Sequence, residues 1–180
     1  MPATIDRPEP DEYAPYFERY ISKVPPGGTD ILAQLARQID DTASLFGALT
    51  DAQGDFRYGP DKWSVKQMAG HMADTERIFC YRAVCFARGE TVELPGFDEN
   101  TYAANAHSGS RKLADIVAEF RAVRAASVAF FSGLDAEELL RRGQANGRPY
   151  SVRAVPFIMA GHERHHCDIL RERYLPAMPT

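Results

Sequence analysis

The chain has 180 residues, 44% of them hydrophobic and 26% charged, with a formal net charge of −4. That length suits one domain with a sizeable core, and the balance is that of an ordinary soluble globular protein. There is no basic run or aromatic-interleaved basic patch to suggest a nucleic-acid surface, and no apolar run approaches the ~18 residues of a membrane span.

The first residues lack the apolar stretch of a secretory signal. The three cysteines, Cys80, Cys85 and Cys167, are odd in number and lack C-x-x-C spacing. That pattern fits a reducing compartment better than a disulfide framework. A cytoplasmic location and no membrane or nucleic-acid partner are the expectation.

Proline and glycine punctuate the chain. Residues 1–28 read as an N-terminal segment with a short helix near Asp11–Ser22, ended by Pro25-Pro26-Gly27-Gly28. A first long helix follows Thr29 as a predicted N-cap, with Ile31, Leu32, Leu35, Ile39, Leu45, Phe46 and Leu49 at helical spacing. Residues 54–60 read as loop. Ser64-Val65-Lys66-Gln67 is a capping-box pattern that opens a second long helix to about Arg88, ending near Gly89. A short helix is predicted over Asp98–Asn105. Ser110 is the predicted cap of a third long helix, which ends at Gly133, and further helical turns are predicted over Asp135–Arg141. Gly143 to Pro149 reads as loop. The last helix is predicted from about Ser151 to Tyr174, with Pro156 kinking it or delaying its start. No stretch shows sustained period-two alternation. The fold class is therefore all-α: a four-helix bundle over residues 29–175, with short accessory helices and a tail at 176–180.

The chemistry concentrates in the histidines. Three of the five lie in Gly161-His162-Glu163-Arg164-His165-His166. His162 and His166 are four residues apart on the last helix, so their Cβ atoms stand about 5–6 Å apart on one face. That face also carries Val155, Met159, Ile169 and Leu170, so the pair interrupts an apolar stripe. Two imidazoles there must be satisfied, and a metal ion at about 2.0–2.1 Å satisfies both. His71 falls in the core register of the second helix and supplies a third ligand. A lone core histidine usually has a hydrogen-bond partner instead; an i, i+4 pair plus a third on a facing helix points to a divalent metal, and neutral imidazoles suit zinc, nickel, copper or iron, of which zinc or nickel is the expectation. Three protein ligands leave a position open, as in catalytic sites. His165 lies about 100° round the helix and reads as a supporting or surface residue, and His107 reads as solvated.

The same residues match H-E-x-x-H, the zinc-protease pattern in which the glutamate is the base. Those enzymes take a third ligand from further along the chain. Here only Asp168 and Glu172 follow, on the same helix, and the expected sheet is missing. Protease remains a minor alternative. Asp74 and Glu163 are secondary catalytic candidates. Asp74 either orients a ligand or water, as Thr75 beside it could, or makes a surface pair; Glu163 either acts as a base or is a solvated helix-face residue. Arg82 either holds an anionic substrate group or makes an interhelical salt bridge. Trp63 reads as packing the helix entrance, and Cys167 as pointing away from the pair.

Two segments carry a resemblance. Lys62-Trp63-Ser64-Val65-Lys66-Gln67 leading to Gly70-His71-Met72-Ala73-Asp74-Thr75-Glu76-Arg77, together with Gly161-His162-Glu163-Arg164-His165-His166, resembles the DinB-like four-helix-bundle superfamily. Leu94-Pro95-Gly96-Phe97-Asp98 is similar to that family's inter-helix segment. The resemblance implies a non-sequential helix order, a metal held by His71, His162 and His166, frequent homodimers, and activity as a metal-dependent hydrolase or as a low-molecular-weight-thiol transferase on a small-molecule substrate. A non-catalytic metal-binding or stress-response protein is the alternative.

Overall fold

A computed structural model describes residues 5–27 and 30–179. Thr29, the predicted cap of the first long helix, lies outside them. The helix α2 spans Ile31–Gly47 and is capped by Asp30, whose carboxylate accepts from the Leu32 N–H. Before it stand two 3-10 turns, Pro10–Glu12 and Pro15–Phe17, and the single-turn helix α1, Glu18–Ile21. The continuous helix expected over Asp11–Ser22 is thus three short pieces. Pro15 opens a fresh turn because proline is tolerated only where its missing N–H breaks no bond.

The remaining elements follow at α3, Asp51–Gly54; α4, Val65–Ala87; α5, Glu99–Asn105; α6, Leu113–Ser132; α7, Ala136–Leu140; and α8, Ala154–Ile169. The α4 capping box is present as read: Gln67 N–H donates to Ser64 Oγ and Ser64 N–H to Gln67 Oε1. Ser110 does not cap α6. It sits in a 3-10 turn, Ser108–Ser110, and the Leu113 N–H at the start of α6 donates at 2.7 Å to Asp51 on α3. A cap borrowed from a distant element leaves no local signature.

The stretch read as loop from Gly143 to Pro149 is instead a β-hairpin. Strands β1, Arg142–Ala145, and β2, Arg148–Ser151, pair antiparallel with Ala145 opposite Arg148. The turn is Asn146-Gly147, both at positive φ (51° and 70°), the two-residue turn whose twist suits paired strands. The strands are too short for alternation to show, so that dipeptide was the available signal. In α8, Pro156 sits in the first turn, where no intrahelical acceptor is lost, and the helix runs unbroken. Ser151 Oγ accepts from the Ala154 N–H. One wider π turn, Leu170–Tyr174, continues the chain.

Helices α2, α4, α6 and α8 form the bundle. Both α2 and α4 pack against α6 and α8, so the cyclic order is α2–α6–α4–α8 and the first two long helices lie diagonally. The helix order is non-sequential. Two apolar clusters fill the bundle. One holds Leu35, Phe79, Phe86, Phe131 and Ile158; the other holds Ile39, Phe46, Met72, Phe120 and Leu170. Between them every long helix contributes a buried polar residue: Gln38, Glu76, Arg124 and Glu163.

Candidate metal centre

His71 projects from α4, and His162 and His166 from successive turns of α8. Their Nε2 atoms converge: His162 Nε2 lies 3.1 Å from His71 Nε2 and 3.1 Å from His166 Nε2. At metal–nitrogen distances near 2.05 Å, ligand nitrogens sit about 3.3 Å apart around a tetrahedral ion and about 2.9 Å apart around an octahedral one. The spacing therefore fits a divalent ion. Burial lowers the His71 pKa from 6.5 to about 4 and holds His162 and His166 well below their ordinary value, with repulsion from neighbouring histidines adding to it. At neutral pH all three are uncharged, the protonation state in which imidazole binds metals.

The three histidines open onto a pocket of about 260 Å³. Trp63 covers one side, its ring 4.6 Å from His71 and stacked at 6.4 Å over His166. Tyr20 covers another, 5.4 Å from His162. Phe79, Phe97, Arg82 and Arg148 line the rest together with Tyr16, Arg19 and Glu99. Tyr20 reaches the site because α1 lies directly on α8 at Gly161. A Cβ there would stand 1.9 Å from the Tyr20 carbonyl oxygen, so glycine next to His162 brings the N-terminal segment over the pocket.

The profile of the DinB superfamily matches residues 34–170. The chain belongs to the DinB superfamily. Among solved structures it is similar to YfiT from Bacillus subtilis, described as a probable metal-dependent hydrolase with an unusual four-helix bundle topology. That likeness has a TM-score of 0.64 at 16% identity and covers 83% of this chain and 91% of the other, which establishes a shared fold. No curated protein matches the sequence.

Within this DinB bundle the remaining predicted residues fall in different places. Glu163 is not the solvated residue expected. It is 1% exposed and turned away from the histidines; it accepts from Arg124 at 2.7 Å, Gln38 at 2.8 Å and Thr42 at 2.5 Å. Arg124 also holds Glu76 through Nε and Nη2. The glutamate of the H-E-x-x-H match is thus committed to a buried ion network, which removes the base that a protease of that type requires. Asp74 is half-exposed and pairs with Arg77 at 3.2 Å, which is the surface-pair alternative. Thr75 Oγ1 lies 3.4 Å from both ring nitrogens of His71.

Arg82 makes no interhelical salt bridge. Among the described residues no carboxylate lies within 4.0 Å of it, and its Nη2 donates to the Pro95 carbonyl at 2.7 Å. Trp63 does more than pack the helix entrance, since it walls the pocket and donates Nε1 to Asn100 on α5. Cys167 faces Thr42 at 3.4 Å, away from the site, and burial pushes its thiol up to about 11. His165 is half-buried and lines the pocket without joining the convergent set, and His107 is exposed.

Glu76 and Arg124 escaped the sequence reading. Both occupy core register: Met72, Glu76, Phe79 on α4, and Phe120, Arg124, Ser127, Phe131 on α6. Opposite charges interrupting two apolar stripes were the available signal. Tyr16 and Tyr20 left none, because their approach depends on how α1 docks.

Proposed function

We propose that the protein is a metal-dependent enzyme, with His71, His162 and His166 holding a divalent ion, zinc or nickel, and acting on a small-molecule substrate by hydrolysis. The observation that carries this reading is the convergence of three neutral imidazoles at the floor of an open pocket rather than in a closed core. When bound, the ion would act as a Lewis acid that polarises the substrate and lowers the pKa of a nucleophile towards neutrality.

The chain's own residues divide the other tasks. Trp63, Phe79 and Tyr20 exclude water from an apolar substrate body. Thr75 steadies the His71 ring. His165, uncharged at neutral pH because burial lowers its pKa, stands in the pocket wall as a proton acceptor. Transfer of a low-molecular-weight thiol is the second reading. It is supported by the uncharged imidazole donor set, which suits zinc, an ion that deprotonates a thiol it coordinates.

The test is metal analysis of the purified protein followed by turnover assays on esters, amides and thiol–electrophile pairs. The expected result is about one ion per chain and turnover that chelation abolishes and metal restores. His165→Gln is expected to slow turnover without changing metal content. Bound metal without turnover on any panel would leave a non-catalytic metal-binding protein. Absence of binding by zinc and nickel alike would sink the metal reading.

A further inference from the structure

Along the pocket, α4 presents His71, Thr75, Phe79 and Arg82. Arg82 follows His71 by eleven residues, about three helical turns, so the two share a stripe roughly 20° wide and stand about 16 Å apart along the axis. Both side chains lean towards the helix N-terminus, so the guanidinium and the imidazole stay on one stripe, about three turns apart. The wall therefore reads in order as imidazole, hydroxyl, aromatic ring and guanidinium.

Arg82 is unusual among the arginines of this chain. It is only 6% exposed, yet no carboxylate lies within 4.0 Å of it among the described residues. Its Nη2 donates to the Pro95 carbonyl, the faces of Phe79 and Phe97 lie 5.8 and 5.9 Å from its Cζ, and the neutral hydroxyl of the buried Tyr150 stands beside it. The buried Arg124, by contrast, holds two glutamates. A buried cation without an anion is costly, and a ligand anion in the pocket would remove that cost. Arg19 and Arg148, which also line the pocket, each stack on Tyr16, with Cζ 4.2 and 4.0 Å from its ring. Among the described residues that line the pocket, Glu99 is the one carboxylate beside these three guanidinium groups.

We infer that Arg82 is the specificity determinant of this pocket, and that the substrate carries a carboxylate bound by Arg82, an apolar body against Phe79 and a reacting group further along the same wall, at the histidines. A guanidinium matches a carboxylate in a planar, bidentate fashion. One deeply buried cation, with Glu99 at the rim, suits a monoanion better than a phosphate dianion. Arg19 and Arg148 raise the local concentration of anions at the entrance. The position of the reacting group rests on the function proposed above; the anion subsite does not.

The protein, zinc-loaded and again after chelation, is titrated calorimetrically with 4-phenylbutanoate and with its neutral amide. The acid is expected to bind at least tenfold more tightly than the amide in both forms. Arg82→Met should erase that preference while amide binding persists, and Arg82→Lys should retain part of it. In the native protein the Arg82 Nε–H nuclear magnetic resonance should shift with the acid and not with the amide, a readout that needs no variant. Equal binding of acid and amide, an undiminished preference in a folded Arg82→Met, or a preference seen only with zinc present would each overturn the inference. Zinc content of the same samples reports separately on the histidines, so failure of the metal site and failure of the anion site are distinguishable.

Discussion

The backbone carbonyl of Tyr20 sits where a side chain on residue 161 would otherwise be: a Cβ on Gly161 would approach it to 1.9 Å. The N-terminal segment is thereby clamped to α8 one residue before His162. Gly161→Ala must push α1 away, and with it Tyr20 and the pocket wall. The clash is with backbone, so relief requires movement of the whole turn. Loss of about 2–3 kcal/mol is expected, in the range of overpacked cores, with faster proteolysis after residues 18–25. A melting temperature equal to that of the native protein would show that the clamp is dispensable.

Each of His71→Ala, His162→Ala and His166→Ala is expected to reduce zinc or nickel content sharply, whereas His107→Ala, on the exposed surface, should leave it unchanged. Metal content measured after gel filtration decides. In the metal-free protein the same histidines carry a pH signature. Their folded pKa values lie below the ordinary 6.5, at about 4 for His71, so the unfolded chain binds protons first. Stability should therefore fall as pH drops from about 6.5 towards 4. His71→Gln should flatten that fall, as followed by thermal melts at pH 7 and pH 5.

Arg124 holds Glu76 and Glu163 in the middle of the bundle, and neither carboxylate has access to water. Arg124→Met would leave both uncompensated and should cost about 3–5 kcal/mol. Replacing all three with apolar residues of similar volume should recover most of that loss. Glu163→Gln should lower stability but leave metal content intact, because its carboxylate faces Arg124 and not the histidines. Loss of metal in a folded Glu163→Gln would place the glutamate in the site after all.

Glu12 and Arg153 join the N-terminal segment to the start of α8, with Arg153 Nε 2.8 Å from Glu12 Oε2. The Arg153 guanidinium is the main cause that lowers the Glu12 pKa from 4.5 to about 2. A depressed carboxylate stabilises above its unfolded pKa and loses that contribution as pH falls through the folded one. The N-terminal segment should therefore loosen between about pH 4.5 and 2. Hydrogen exchange at Tyr20 and Ile21 over that range is the measurement, and Glu12→Gln should abolish the pH dependence of this local step.

The four long helices, the capping box at Ser64 and Gln67, and the candidate set His71, His162 and His166 were all legible in the amino-acid order. Each depends on spacing along one helix, and 3.6 residues per turn converts spacing into a shared face. Three other features were decided only by the tertiary structure. Glu163 looks solvated from its neighbours in sequence, yet α2 and α6 close over it and supply Gln38, Thr42 and Arg124. The cap of α6 comes from Asp51 on a different element. Tyr20 and Arg82 meet the histidines in one pocket only because α1 docks at Gly161 and α4 packs beside α8. A single chain's periodicity reports which way a side chain points from its own helix; which groups stand opposite it is set by long-range packing, where no local rule applies.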